Sequence, residues 1–284
     1  MKSGFVMLAG RSNVGKSTLL NALVGSKVSI VSPKPQTTRH PVRGILHEKR
    51  GQIVFVDTPG IFIGRRDRIS KKLNEFVAET LEGVDAIVYV MDPTREFGPE
   101  EERIQNMLRV TQVPKLAVIN KTDLSAKEQK FLEVYQNADI GQLASLRVSA
   151  KDHKNLNRLV DALFAVLTEN EPHYPELQLT DLGHNQWLEE LIREKIFLNL
   201  EQEIPYSIRV TLEELEVRPD GSRYIQANIW TTLDRYKSMI IGKQGRMLKQ
   251  IGSAARKELE AVTLAKVFLE LRVKVDPKWQ ERFN

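Results

Sequence analysis

Gly10-Arg11-Ser12-Asn13-Val14-Gly15-Lys16-Ser17 is a complete G-x-x-x-x-G-K-S run, set directly after an apolar stretch, Phe5 to Ala9, and before an apolar helix. A nucleoside triphosphate needs backbone amides converging on its phosphates, a helix N-terminus to hold negative charge, and a lysine that reaches the β and γ oxygens. Gly10 and Gly15 let the backbone close round the phosphate and Lys16 supplies the cation. The Ser17 hydroxyl is placed to ligate Mg²⁺, and Thr18 follows it in the same nucleotide cradle. The plain alternative is a glycine turn between a strand and a helix, but all eight residues and their context fit a phosphate.

Two further segments suit the same ligand. Ile53 to Val56 reads as a buried strand ending in Asp57-Thr58-Pro59-Gly60. The Asp57 carboxylate can hold Mg²⁺ through its water shell, and the Gly60 N–H can meet a γ-phosphate and so sense its loss. Lys115 to Ile119 is a third apolar strand and delivers Asn120-Lys121-Thr122-Asp123. Guanine presents N1–H and N2–H₂ donors side by side, and one carboxylate, Asp123, can accept both; adenine offers no such pair. The Lys121 stem can lie over the purine, and Asn120 can tie this loop to the phosphate loop. Ser149-Ala150-Lys151 follows the next strand, where the Ala150 N–H can meet the guanine O6. Four such elements in this order point to GTP or GDP as the ligand.

These loops need strands whose ends lie side by side, and the chain has room for them. Its 284 residues suit two domains, with 41% apolar residues to fill two cores. Leu156, Leu159, Val160, Leu163, Phe164 and Leu167 fall on one stripe of a helix expected over residues 155–169, which closes a first domain at 1–171. Glu171-Pro172-His173-Tyr174-Pro175 is proline-rich and Pro175 to Gly183 lacks periodicity, so 172–183 reads as a linker. Cysteine is absent, which excludes disulfides, thiolate chemistry and Cys-ligated metals. Met1-Lys2-Ser3-Gly4 leads straight into a strand and no apolar run approaches the roughly 18 residues of a membrane span. The expectation is a soluble, cytoplasmic protein.

Charge is unevenly placed. From Ile204 to Asn284 there are 15 Lys+Arg against 10 Asp+Glu, so the whole net +5 of the chain lies in its last third, as suits a polyanion partner, although a merely solvated basic face has the same signature. Over 184–284 the pattern reads as a helix at 185–201, a strand at 207–217, a turn at Pro219-Asp220-Gly221 and a strand at 224–231. Gly242-Lys243-Gln244-Gly245 then leads into a helix ending near Val262, and a last strand spans 266–275. A G-x-x-G turn lets backbone amides and the start of the next helix approach the sugar-phosphate of a single strand, beside a groove for about four bases. Lys243, Arg246 and Lys249 can add salt-dependent phosphate contacts. Ile240 and Ile241 either line the groove or pack the core.

The phosphate loop, Asp57-Thr58-Pro59-Gly60, Asn120-Lys121-Thr122-Asp123 and Ser149-Ala150-Lys151 together resemble the translation-factor-like GTPases and, within them, the Era family. The order α-β-β-α-α-β around Gly242-Lys243-Gln244-Gly245 resembles a type II KH domain, and the two in tandem are the Era arrangement over essentially the whole chain. The resemblance implies an α/β P-loop GTPase domain, with a mostly parallel sheet and helices on both faces, followed by an α+β KH domain at 184–284. It implies a first switch over Val31 to Pro41, where Thr38 takes the place of the threonine that joins Mg²⁺ and the γ-phosphate, with Thr37 one residue away. The second switch is Gly60 to about Ile69, including Arg65-Arg66-Asp67-Arg68. Lys16, Thr38 and Gly60 are then the catalytic residues, and Ser17, Thr38 and Asp57 the metal ligands. The resemblance also implies binding of the 3′ end of 16S ribosomal RNA and a role in small ribosomal subunit assembly, with GTP favouring RNA binding and hydrolysis favouring release.

Two positions bear on hydrolysis. Ile61 follows Gly60, where Ras-like GTPases carry a water-orienting glutamine, so turnover is expected to be slow without another group, water network or bound partner. Asn13 stands where related GTPases place an asparagine that helps hold K⁺ against the phosphates; a turn residue satisfying its own loop is the alternative. A rival reading of the last third is a docking module for a protein or an anionic membrane surface, through Arg256, Lys257 and Lys266, although a strongly basic amphipathic helix is lacking. The five histidines, His40, His47, His153, His173 and His184, lack metal-ligand spacing, and Glu213, Glu214 and Glu216 read as a solvated strand face. Monomer is the default oligomeric state.

Overall fold

The computed structural model describes residues 1–35, 37–60 and 68–282, which form two compact units: Met1–Val31 with Thr38–Asp181, and Ser32–Thr37 with Leu182–Asn284. Ile61 and Arg65 to Asp67 of the second switch lie outside the described residues.

The first unit contains β1 (Lys2–Ala9), α1 (Lys16–Val24), β2 (Val42–Glu48), β3 (Gly51–Asp57), α2 (Arg68–Leu81), β4 (Ala86–Met91), α3 (Pro99–Val110), β5 (Lys115–Ile119), α4 (Leu132–Gln136), β6 (Ala144–Arg147) and α5 (Leu156–Val166). The six strands run in the order β2-β3-β1-β4-β5-β6, and all pairs are parallel except the antiparallel hairpin β2/β3. Alternation along the central strands explains the helices on both faces. Val6, Leu8, Val88 and Val90 join a core with Leu19 and Leu20 of α1 and Leu159 and Leu163 of α5. Met7, Ile87, Tyr89 and Met91 point the other way, against Val77 of α2 and Ile104 and Leu108 of α3. Strands buried on both sides read as continuous apolar runs, as β4 and β5 do.

The helix expected over 155–169 is shorter. Leu167 turns to an extended conformation, stays in the core, and lets Glu169 bridge Lys2 at the start of β1. The proline-rich run after it is held by Gln52 of β3, whose Oε1 accepts from the His173 and Tyr174 amides (2.8 and 3.1 Å) and whose Nε2 donates to the Tyr174 carbonyl (2.8 Å). Ile45 N then donates to the Leu179 carbonyl at 2.9 Å, which lays residues 173–180 along β2.

The second unit contains α6 (His184–Asn199), β7 (Ile208–Val217), β8 (Arg223–Thr231), α7 (Asp234–Ile241), α8 (Arg246–Thr263) and β9 (Val267–Val275). The sheet order is β7-β8-β9, with β7/β8 antiparallel and β8/β9 parallel, so α7 and α8 form the crossover. Ile225, Ala227 and Ile229 face the core with Ile192 and Ile196 of α6 and Ile251, Ala255 and Leu259 of α8. Leu191 to Phe197 are seven consecutive buried residues, Arg193, Glu194 and Lys195 among them, which a helix with one solvated face cannot achieve. Lys195 reaches Glu194 at 2.7 Å and pairs with Glu258 of α8, while Arg193 donates to the carbonyl of Thr37 on the other side.

Candidate nucleotide and RNA sites

The phosphate loop leaves the C-terminal end of β1 in the middle of the sheet, and the ends of β3, β5 and β6 deliver the other three motifs to the same edge, the customary ligand crevice of a parallel α/β sheet. Val14 is fully buried and pins the loop. Gly15 is the N-cap of α1 and no side chain caps that helix. Arg11 is almost buried, its Nε 3.1 Å from Glu101 of α3, and donates from a terminal nitrogen to the Glu96 carbonyl at 3.1 Å. Ser12 is contacted from outside by Arg95, which donates to its carbonyl at 2.8 Å, and Asn13 is left-handed at φ 65°.

Lys16 donates to the carbonyls of Gly10 and Arg11, both at 2.9 Å. Burial pulls its ammonium down to about 8, against the pull of Asp57, Glu101 and Glu100. Asp57 is fully buried at the end of β3 and accepts from Ser17 (2.6 Å) and Ser29 (3.0 Å) through Oδ2. Burial pushes the Asp57 carboxyl up, opposed first by Lys16 and then by these hydroxyls. Ser17 and Thr38 stand 3.1 Å apart, so the structure brings Ser17, Thr38 and Asp57 together and leaves Thr37 out of that group. The other Asp57 oxygen, Oδ1, is buried without a hydrogen-bond partner in the described residues, and with two hydroxyls beside it this all-oxygen set fits a hard divalent cation such as Mg²⁺. Gly60 packs on the loop so closely that a Cβ there would stand 2.5 Å from the Ser12 amide nitrogen; any side chain would push the two apart.

On the base side, Asn120 donates to the Val14 carbonyl and accepts from the Ala150 amide, both at 3.0 Å, locking three loops together. The Ala150 N–H, expected to face a guanine O6, is given to Asn120 here. Lys121 is left-handed (φ 62°) and its ammonium pairs with buried Asp92 at the end of β4, which stretches the stem. Ser149 donates to Asp123 Oδ1 at 2.7 Å and orients the carboxylate. Lys151 is exposed in the following turn.

In the second unit Gly242-Lys243-Gln244-Gly245 makes a short 3-10 turn between α7 and α8. Gly242, Gln244 and Gly245 take φ of 71°, 52° and 74°, and a Cβ on Gly242 would meet that of Met247 at 2.8 Å. These positive φ values and that close approach are why glycine brackets the turn. Gly245 is the N-cap of α8 and no side chain caps it. Beside it lies an open groove of about 470 Å³ between Leu248, Lys249, Gly252 and Arg256 of α8 and Leu269 and Leu271 of β9. Lys249 in its lining is exposed, as are Lys243, Gln244 and Arg246 of the turn and the start of α8, and Ile241 is partly exposed. Ile240 is a correction: it is fully buried in the core with Ile251 and Ala255 and does not line the groove.

Residues 5–121 match the family of 50S ribosome-binding GTPases and residues 203–280 the KH domain family. The chain is 41% identical to the GTPase Era of Halothermothrix orenii, covering 99% of this chain and 95% of that one, and 38% identical to that of Thermotoga maritima at 99% and 94%. The chain belongs to the Era family. It is a GTPase with a C-terminal KH domain. A crystal structure of an Aquifex aeolicus Era variant bound to GDP·AlF₄⁻ superposes with a TM-score of 0.92 at 38% identity, covering 99% of this chain and 96% of that one. An Era in complex with MgGDPNP and nucleotides 1506–1542 of 16S ribosomal RNA gives 0.92 at 37%, with the same coverage.

The Era-family motifs do not announce every residue that shapes these sites. Ser29, Asp92, Arg95 and Glu101 touch Asp57, Lys121, Ser12 and Arg11 from loops and a helix far away in sequence. Asp92, at the end of an apolar strand, is the one whose placement carried a signal. The groove wall on β9 carried none, because Leu269 and Leu271 look like core alternation.

Proposed function

We propose that this Era-family GTPase is a GTP-gated switch that binds the single-stranded 3′ region of 16S ribosomal RNA and acts in assembly of the small ribosomal subunit, as a monomer in the cytoplasm. The observation that carries it is the Gly242–Gly245 turn at an uncapped helix N-terminus beside an open groove lined by leucines together with Lys249, Arg256 and Glu270, in a chain whose relative at TM-score 0.92 is complexed with MgGDPNP and nucleotides 1506–1542 of that RNA.

In this reading the phosphate-loop amides and Lys16 hold the β and γ oxygens, and Asp123, fixed by Ser149, selects guanine. Ser17, Thr38 and Asp57 would hold Mg²⁺, which would supply positive charge against the phosphates. Thr38 and Gly60 engage the γ-phosphate and let go when it leaves. Isoleucine at 61 has no polar atom to orient a water, so a partner or another group positions the nucleophile. Asn13 helps hold K⁺ against the phosphates, so turnover is faster in K⁺ than in Na⁺; equal rates, or an unchanged K⁺ response in Asn13→Ala, would remove that element.

The test is crosslinking in cells with sequencing of bound RNA, comparing the wild-type chain with Lys243→Asp/Gln244→Asp. Enrichment near the 3′ end of small-subunit RNA that disappears in the variant is expected. Absence of enrichment, or equal crosslinking by the variant, overturns the RNA half and makes the KH domain a docking module for a protein or membrane surface.

A further inference from the structure

Six residues of the first switch, Ser32 to Thr37, belong to the second unit. Ser32, Lys34 and Thr37 are tied to one another by hydrogen bonds. The Lys34 amide donates to Ser32 Oγ at 3.1 Å, and Thr37 Oγ1 donates to the Lys34 carbonyl at 2.7 Å. With its one proton so used, Thr37 accepts from Ser32 Oγ at 2.7 Å. This compact turn is anchored twice on α6. The Lys34 ammonium donates to the carbonyls of Phe197, in the last turn of α6, and of Leu200, its C-cap, at the negative end of the helix dipole. Arg193, only 3% exposed, donates to the Thr37 carbonyl while its guanidinium lies 5.2 Å over the Phe197 ring and is oriented by Glu190, whose Oε1 accepts from Nε at 2.9 Å. A buried arginine whose donor goes to one backbone carbonyl fixes that peptide. The next residue in the chain is Thr38, beside Ser17.

We propose that Arg193 and Lys34 are positioning residues for the nucleotide site, tying the part of the first switch that precedes Thr38 to the RNA-binding unit. This inference rests on the gated-switch reading above and supplies its coupling element. Thr38 already stands beside Ser17, and the peptide it shares with Thr37 is fixed to α6, the helix that also packs on α8 and hence on the groove-bearing element, so engagement of Thr38 by a γ-phosphate bears on that anchor. The nucleotide state is thereby transmitted along the covalent chain. Coupling is reciprocal, so groove occupancy must change engagement of the γ-phosphate by the same factor.

The experiment uses the full chain and a single-stranded RNA matching the 3′ end of 16S RNA. RNA affinity is measured with GDP and with a non-hydrolysable GTP analogue, for wild type, Lys34→Met, Arg193→Met and Arg193→Lys. Wild type is expected to bind RNA roughly 5–150-fold more tightly with the analogue. In Lys34→Met and Arg193→Met that ratio falls to within about twofold of one, GDP affinity stays as in wild type because GDP makes no demand on Thr38, and Arg193→Lys restores part of the ratio. A merely structural role would lower melting temperature and leave the ratio intact. If Arg193→Met does not fold, Glu190→Gln, which releases the guanidinium without removing it, is expected to lower the ratio in the same direction. A wild-type ratio retained in the folded variants overturns this inference alone. A wild-type ratio of one overturns the gated-switch reading beneath it.

Discussion

The proposed nucleotide site and the proposed RNA groove are both built on an uncapped helix N-terminus behind a glycine-bracketed turn, yet they are opposite in burial. Lys16 and Asp57 are almost fully removed from solvent, and each has its titration moved by that burial. Lys243, Arg246 and Lys249 are exposed to water, Lys249 in the lining of an open groove and the other two at the turn that leads into α8. The first site therefore concentrates its energy in a few residues that cannot be exchanged; the second spreads it over screened contacts, each weak and salt-dependent. The comparison teaches how each should fail. Deep charges fail abruptly, with consequences for stability and pH, whereas exposed ones fail gradually with ionic strength.

The largest effect is expected from Lys16→Met. Losing a buried charge-assisted contact worth about 3 kcal/mol should weaken GTP and GDP binding by a hundredfold or more in titration calorimetry. The same substitution should raise the melting temperature of the nucleotide-free protein at pH 7 by about 2–4 °C. The sign follows from the direction of the shift: a lysine whose folded value, about 8, lies below its unfolded value destabilises the folded state below pH 8, and the penalty fades as pH rises. A lower melting temperature would show that its bonds to the Gly10 and Arg11 carbonyls outweigh its desolvation.

Next in size, Lys243→Asp/Gln244→Asp should weaken RNA binding by roughly a hundredfold through repulsion of phosphate while leaving nucleotide affinity unchanged, because no part of that turn is buried. Ser149→Ala should reduce GTP affinity by about 3–10-fold, the net worth of one ordinary hydrogen bond, by freeing Asp123 to rotate. A comparable loss of affinity for ATP would mean that Asp123 is not the guanine-selecting group.

The pH dependence separates the two sites again. Phosphate binding demands a charged Lys16, so the dissociation constant for GDP should be flat below pH 8 and weaken up to tenfold per unit above it, as each binding event then takes up a proton. RNA binding should show no such break in that range. The smallest effect is Lys249→Ala, which should lower the slope of log affinity against log salt by about 0.7 with little change at low salt.

Much of this was legible before the structure, for a physical reason. The phosphate loop, Asp57, Asn120 and Asp123 act through backbone turns and strand ends that a short stretch of chain dictates by itself, so spacing reports geometry. The turn at Gly242 to Gly245 was legible for the same reason. What sequence missed depends on packing across distance. Glu101, whose carboxyl burial pushes up to about 7 against the pull of Arg11, lies on α3, where an acidic first turn looks solvated. Ile240 could be core or groove until α8 was seen to cover it. The helix after Asn155 stops early because Glu169 pairs with Lys2, a partner at the other end of the unit. The grouping of Ser32 to Thr37 with α6 is of the same kind: no local pattern marks a switch lysine as the cap of a helix over 160 residues away.

The most direct test of the central claim, that one chain couples its phosphate site to its RNA groove, is the affinity of the full chain for RNA of the 16S 3′ end with GTP analogue, with GDP and without nucleotide. Binding is expected to be tightest with the GTP analogue, by roughly 5–150-fold over GDP. Equal affinities in the three states would contradict it.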